Sequence, residues 1–242
     1  MKFQSYYSSS TANFYTVTAA NGQRILVECG CTWKKLQKAL GCDLSNIVGC
    51  LLTHEHKDHS KAIEDVLQAG IDVYASAGTF EALSVVHRKA HAIDVLKGIK
   101  IADTFRIFPF EVNHDAAQTF GFIVQADGES LLFVTDTSHI KQKFGLAFSI
   151  ITVCCGYDGA VLRDRVERGS INEEFAKRLL DSHMEKEVTK SYIRDCCCTD
   201  KCTEIWLLHM SGNNIDQKKT REEFEAEFFI KTYIAGQKIK AS

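Results

Sequence analysis

Residues 48–60 read VGCLLTHEHKDHS. The apolar run Val48–Thr53 has the pattern of a buried strand. Ser60 reads as the N-cap of a helix over Ser60–Ala69, with Gly70 as its stop. Between the two lie His54, His56, Asp58 and His59, on a strand-to-helix loop where functional groups commonly sit. His54 and His56 are two apart, so in extended backbone they face the same way. Imidazoles and a carboxylate together suit zinc, manganese or iron, and four such donors within one short loop can serve two ions. The bland alternative is a charged surface loop. Three of the chain's nine histidines fall inside this one stretch, which speaks for ligands.

On either side of the motif the pattern alternates. Strands are expected at Phe14–Thr18 and Arg24–Glu28, joined by an Asn21-Gly22 turn. A helix follows at Thr32–Leu40, then the strand of the motif and its helix, a strand at Ile71–Tyr74 and a helix at Ala77–Val86. The middle is β-rich, with Thr104–Val112, Phe120–Gln125, Leu131–Thr135 and Ile150–Val153. Helices return at Asn172–Asp181 and Glu185–Asp195, followed by a strand at Glu204–Leu208, a helix at Gln217–Phe229 and a last edge strand at Tyr233–Ile234. This order suggests an α/β (α+β) protein in which two sheets pack together with helices outside. The single proline, Pro109, rules out proline-rich linkers, and no repeat or composition break interrupts residues 1–242, so one domain is expected.

Composition bounds the function. The net charge is −2 over 242 residues. A long nucleic-acid track usually carries a basic excess, although a local basic groove is compatible with this balance. No apolar run approaches the length of a membrane span, and the N-terminus has no apolar signal core. Ten cysteines include the adjacent runs Cys154-Cys155 and Cys196-Cys197-Cys198, which fit a disulfide framework poorly. A reducing cytoplasm is the expected location. Cys198 and Cys202 have a spacing loosely compatible with zinc, but no second pair flanks them, and free thiols on a loop are expected.

A two-ion site needs further donors. His114, Asp136 and His209 each follow a β-segment, at the strand end where α/β sites collect. His87 and His91 lie in a charged stretch and are expected to be solvated. His183 sits in Asp181-Ser182-His183-Met184, between two helices.

With these residues in place, His54-x-His56-x-Asp58-His59 resembles the signature of the metallo-β-lactamase superfamily, and His114, Asp136 and His209 resemble its later ligand positions in order and approximate spacing. The stretches SSSTANFY, ECGCTWKKL, NHDAAQTFGF, LLFVTDT, DSHM and IWLLHMSGNN are similar to the YycJ/WalJ branch and its phage-encoded relatives, the anti-Pycsar cyclic-nucleotide phosphodiesterases. The resemblance implies a four-layer αβ/βα sandwich and a hydrolase with two divalent ions, zinc or manganese. It implies that His54, His56 and His114 hold one ion, that Asp58, His59 and His209 hold the other, and that Asp136 bridges them. Many superfamily members carry aspartate where Glu28 stands, as a support for the metal loop. The Cys154–Tyr157 segment and the Cys196–Cys202 loop depart from the branch.

Two such ions lower the pKa of bound water from about 15.7 towards 7 and clamp a phosphate, so no serine or cysteine nucleophile is required. Asp58 and His183 are the candidate catalytic residues, Asp58 also as a ligand. His183 is a candidate for substrate contact or for the proton to the leaving oxygen, with a capping histidine as the alternative. The Ser8–Asn13 loop offers donors to phosphate, or ordinary turn chemistry. Asn213 and Asn214 orient His209, touch substrate, or cap a loop. The expected reaction opens 3′,5′-cyclic mononucleotides to linear monophosphates in a host cytoplasm, by a homodimer as the branch resemblance implies. The alternative is a metal-dependent DNA or RNA exonuclease.

Overall fold

The computed structural model describes residues 1–95 and 97–237. The chain is a mixed α/β protein whose strands belong to two sheets, the fold class expected from its patterning. It groups into two compact units: residues 1–111, 116–129 and 236–237 form the first, and residues 112–115 and 130–235 the second.

The first unit holds strands β1 (Lys2–Ser9), β2 (Ala12–Thr18), β3 (Arg24–Val27), β4 (Ile47–Leu51), β5 (Val73–Ala75) and β6 (Ala90–Ala92) in that order across a six-stranded sheet. β1, β2 and β3 pair antiparallel, and β3 to β6 pair parallel. Parallel neighbours need crossover connections. These are helices α1 (Trp33–Ala39), α2 (Lys57–Ser60) with α3 (Ile63–Gln68), and α4 (Ala77–Ala82). Phe14, Leu26, Cys50, Leu52, Val66 and Val73 are fully buried in the core of this unit. An antiparallel ribbon of β7 (Ile99–Ile101), β8 (Phe105–Glu111) and β9 (Phe120–Ala126) completes it.

The second unit is built on β10 (Glu129–Val134), β11 (Ile150–Cys154), β12 (Glu204–Leu208) and β13 (Lys231–Ile234), all parallel. Strands covered on both faces read as continuous apolar runs, and Leu131–Val134, Ile150–Val153 and Ile205–Leu208 are buried throughout. Its helices are α5 (Gly159–Glu167), α6 (Glu173–Ser182), α7 (Lys186–Cys196) and α8 (Gln217–Phe228).

Several local expectations change. The helix expected over Ser60–Ala69 is two short helices, the first starting inside the histidine motif. The break has a definite cause. Cys29 N–H donates to the carbonyl of His59 at 2.8 Å, and Ala62 N–H donates to the carbonyl of Cys29 at 2.9 Å, so the loop after β3 takes up groups that a continuous helix would pair internally. Ser60 is therefore not an N-cap. Its hydroxyl donates to the carbonyls of Glu55 and His56, at 2.7 and 3.1 Å. The helix expected over Ala77–Val86 ends at Ala82. Strands β1, β6 and β7 and helix α5 had no counterpart in the sequence reading; α5 is capped by Asp158, which accepts from Ala160 N–H at 2.8 Å.

Candidate functional site

In the first unit, the end of β4 delivers the histidine motif onto a buried carboxylate. Glu28 follows β3 in the left-handed region, with φ of 65°, and its side chain has no exposure. The Thr53 hydroxyl donates to Glu28 Oε1 at 2.5 Å and lies 2.8 Å from His54 Nδ1. Its one proton goes to the carboxylate, so towards His54 it accepts. His54 is thereby held as the Nδ1–H tautomer, with the lone pair on Nε2, the arrangement by which outer partners orient metal-binding imidazoles. His59 Nδ1 lies 3.3 Å from the same Glu28 Oε1. Burial pushes the Glu28 carboxyl up, against the opposing pull of His59 and Thr53.

The four donors converge. The rings of His54 and His56 are 4.7 Å apart, those of His54 and His59 4.1 Å, and His59 Nε2 is 3.4 Å from Asp58 Oδ2. Asn13, at the start of β2, braces this group. Its buried amide nitrogen donates to Asp58 Oδ2 at 3.2 Å and lies 3.0 Å from His59 Nε2. Most of the Ser8–Asn13 segment is hairpin strand, with Ser9 paired to Ala12. Gly30 is required at its position: a Cβ there would stand 1.5 Å from the carbonyl oxygen of Asp58.

In the second unit, sheet register assembles the remaining donors. Val134, Val153, Leu207 and Ile234 are aligned across β10 to β13. Asp136 and His209 each lie two residues beyond that row, at the C-terminal edge. Asp136 Oδ1 is 3.6 Å from His209 Nε2, and Asp136 Oδ2 is 3.8 Å from His114 Nε2. His114 is brought there by backbone ties. Thr137 Oγ1 and Ser138 N–H both donate to the carbonyl of Asn113, at 2.9 and 3.1 Å. Donors bound tetrahedrally to one ion at about 2.0–2.1 Å stand roughly 3.4 Å apart, so imidazole nitrogens at these distances from a carboxylate suit a metal better than direct hydrogen bonds. The donor chemistry, neutral imidazoles with a carboxylate in buried surroundings, fits a divalent cation.

His183 follows α6 and stacks on His209, with centroids 4.6 Å apart and an interplanar angle of 25°. Its Nδ1 is 3.9 Å from the buried thiol of Cys154. Burial pushes that thiol up to about 12, with the charge of Asp136 adding to the effect. Cys29, hydrogen-bonded to Cys50 and buried, is raised well above the usual thiol value, and Cys31 is pushed by burial up to about 11. None of the three is a thiolate nucleophile at neutral pH. Asn214 is buried and accepts from Arg165 Nη1, while its carbonyl accepts from Asp158 N–H at 2.9 Å. That is a loop anchor. His91 keeps the solvent contact expected, its side chain 41% exposed, and also lies 2.6 Å from Asp72 and stacks on Tyr74 with centroids 5.0 Å apart.

The profile of the beta-lactamase superfamily domain matches residues 23–184. The chain belongs to this superfamily. Among relatives of the beta-lactamase superfamily chain, an exodeoxyribonuclease YycJ of Bacillus anthracis is 26% identical over 86% of this chain and 81% of its own length. The anti-Pycsar protein Apyc1 of Bacillus phage 010DV004 is 38% identical over 63 residues, 24% of each chain. The fold is shared with the metallo-beta-lactamase fold protein YhfI of Bacillus subtilis, at a TM-score of 0.73 and 14% identity, over 96% of this chain and 95% of that one.

Thr53 was not legible as a site residue, because it acts through Glu28, which is distant in sequence. In sequence Asn13 reads as part of a loop offering donors to phosphate; that its amide braces Asp58 and His59 has no signal in the spacing. Among the described residues, no cysteine joins a metal-ligand cluster, and Cys198 is an exposed free thiol.

Proposed function

We propose that the chain is a metal-dependent phosphodiesterase that opens 3′,5′-cyclic mononucleotides to linear monophosphates. The residues that would hold two divalent ions, zinc or manganese, are His54, His56, Asp58, His59, His114, Asp136 and His209. The observation that carries the hydrolytic reading is the Asp136 carboxylate, one oxygen facing each of two imidazoles. The local identity to the anti-Pycsar protein supports the cyclic nucleotide, as does the near-neutral charge.

When bound, the two ions acidify water and neutralise charge on the phosphoryl oxygens. The residues of the chain do the rest. Glu28 and Thr53 fix the His54 tautomer. Asn13 steadies Asp58 and His59. His183, stacked on His209, donates a proton from its imidazole to the departing sugar oxygen. Chains act in pairs, in a reducing cytoplasm. Among the described residues, no helix is long and apolar enough to cross a membrane.

A second reading has its own support. The exodeoxyribonuclease matches most of the chain, and the same donors serve strand cleavage. Incubation of zinc- or manganese-loaded protein with cyclic mononucleotides, cyclic dinucleotides and single-stranded DNA separates the two. Ring opening of cyclic mononucleotides is expected. Digestion of DNA with cyclic mononucleotides left intact would overturn the first reading in favour of the second.

A further inference from the structure

The second unit carries a cavity of about 350 Å³ bounded by α5, the start of α6 and the turn Ser211–Asn214. That turn begins two residues after His209, a distance of at most about 7 Å along the chain. Four features define the cavity chemically. Phe175 on its rim is half-exposed, whereas Ala176 and Leu179 of the same helix are buried. Asn172 accepts from Phe175 N–H through Oδ1 at 2.8 Å, which fixes the amide and leaves its nitrogen as the donor end. The carbonyl of Asn213 accepts from Arg165 Nη1 at 3.3 Å, so the wall holding the Asn213 side chain is pinned to α5. Arg165 supplies a positive charge, and no carboxylate lines the cavity.

We propose that this cavity is a nucleobase subsite for a nucleotide whose phosphate lies at the His209–His183 stack. An exposed aromatic ring gives a stacking face. Asparagine amides present the donor and acceptor groups that match base edges. The volume lies at the small end of ligand sites. The larger cavity of the same unit, about 920 Å³ between α5, α6 and α7, is less suited by charge, because the acids Asp158, Glu167, Glu185 and Glu187 outnumber the cations Arg163, Lys186 and Lys219 along it, whereas Arg165 faces no acid in the smaller one. The identity of the ligand as a nucleotide rests on the phosphodiesterase reading.

The test is equilibrium binding of the four nucleoside 5′-monophosphates and of ribose 5-phosphate to zinc-loaded protein. At least one nucleotide binds about tenfold tighter than ribose 5-phosphate, equivalent to ~1.4 kcal/mol. Phe175→Ala abolishes that preference without changing metal content or ribose 5-phosphate affinity. Asn172→Asp, which keeps the helix cap but removes the amide donors, alters the ranking of the bases. Leu180→Ala, equally exposed on the same helix but outside this cavity, leaves the preference intact. Equal binding of nucleotides and ribose 5-phosphate, or a preference that survives Phe175→Ala, overturns the subsite even if cyclic nucleotides are hydrolysed. A base preference without turnover supports the subsite and counts against the phosphodiesterase reading alone. Competition by a single-stranded oligonucleotide tells whether the base is that of a mononucleotide or of a strand end.

Discussion

The Thr53 hydroxyl donates to Glu28 Oε1 at 2.5 Å, between two side chains with no exposure to solvent. The Thr53 hydroxyl oxygen in turn accepts from His54 Nδ1–H at 2.8 Å, so one hydroxyl links a buried carboxylate to a metal-ligand candidate. Thr53→Val leaves that carboxylate short of a donor. The expected cost is about 1–3 kcal/mol of stability, measured by denaturant unfolding of metal-free protein. Zinc affinity, measured by chelator competition, falls roughly 10–100-fold. Thr53→Ser restores both. Unchanged zinc affinity in Thr53→Val would remove Thr53 from the support of the site.

Asp136→Ala takes away the carboxylate that faces His114 and His209. Bound metal decreases in elemental analysis, and phosphodiester hydrolysis drops by about 100-fold or more. His87, exposed between α4 and β6, serves as the control, and His87→Ala keeps both. Full activity in Asp136→Ala would sink the ligand assignment.

Gly30→Ala drives a methyl group into the backbone of Asp58 and His59, which no side-chain rotation relieves. A loss above about 4 kcal/mol, or failure to yield folded protein, is expected. Gly22, at φ of 83° with open space around it, tolerates alanine at about 1–2 kcal/mol. Thermal melts of the two variants decide the point, and equal melting temperatures would contradict it.

Asp72 gives a pH-dependent contribution to stability. Partial burial pushes its carboxyl up, but bonds from Lys89 at 2.8 Å and His91 at 2.6 Å outweigh this and hold it below its usual value. A depressed carboxyl stabilises the fold above its unfolded pKa of about 3.9, and that contribution is lost as pH falls through the lower folded value. Asp72→Asn therefore costs about 0.2–1 kcal/mol at neutral pH, and the deficit shrinks towards acid. Urea unfolding of both proteins at about pH 7 and about pH 3 measures it. A deficit that grows on acidification would contradict the assignment.

Cys154, buried and pushed up to about 12, stays a thiol at neutral pH. Alkylation needs the thiolate, so iodoacetamide labels the exposed Cys42 and Cys198 in the folded protein before Cys154. Peptide mass spectrometry follows the order. Early labelling of Cys154 would show that its burial is not maintained in solution.

Local pattern by itself determined much of this protein. The apolar runs at Val48–Thr53, Leu131–Thr135 and Glu204–Leu208 placed strands whose ends carry His54, Asp136 and His209, because strand burial and its termination are properties of neighbouring residues. The clustered histidines likewise announced metal chemistry through residue type and spacing alone. What only the tertiary structure decided are relations between distant segments. The cap expected at Ser60 gave way because the loop after β3 pairs with the His59 carbonyl, a partner that helix signals do not encode. Helix α5 was missed although Asp158 and Gly169 bound it, since its apolar periodicity is weak. Asp136 and His209 meet because β10, β11 and β12 align in parallel register, and register is set by side-chain packing across the sheet, to which the two-residue period within each strand is blind. The Glu28–Thr53–His54 chain and the stack of His183 on His209 have the same origin: close packing brings together groups whose separation along the chain carries no signal.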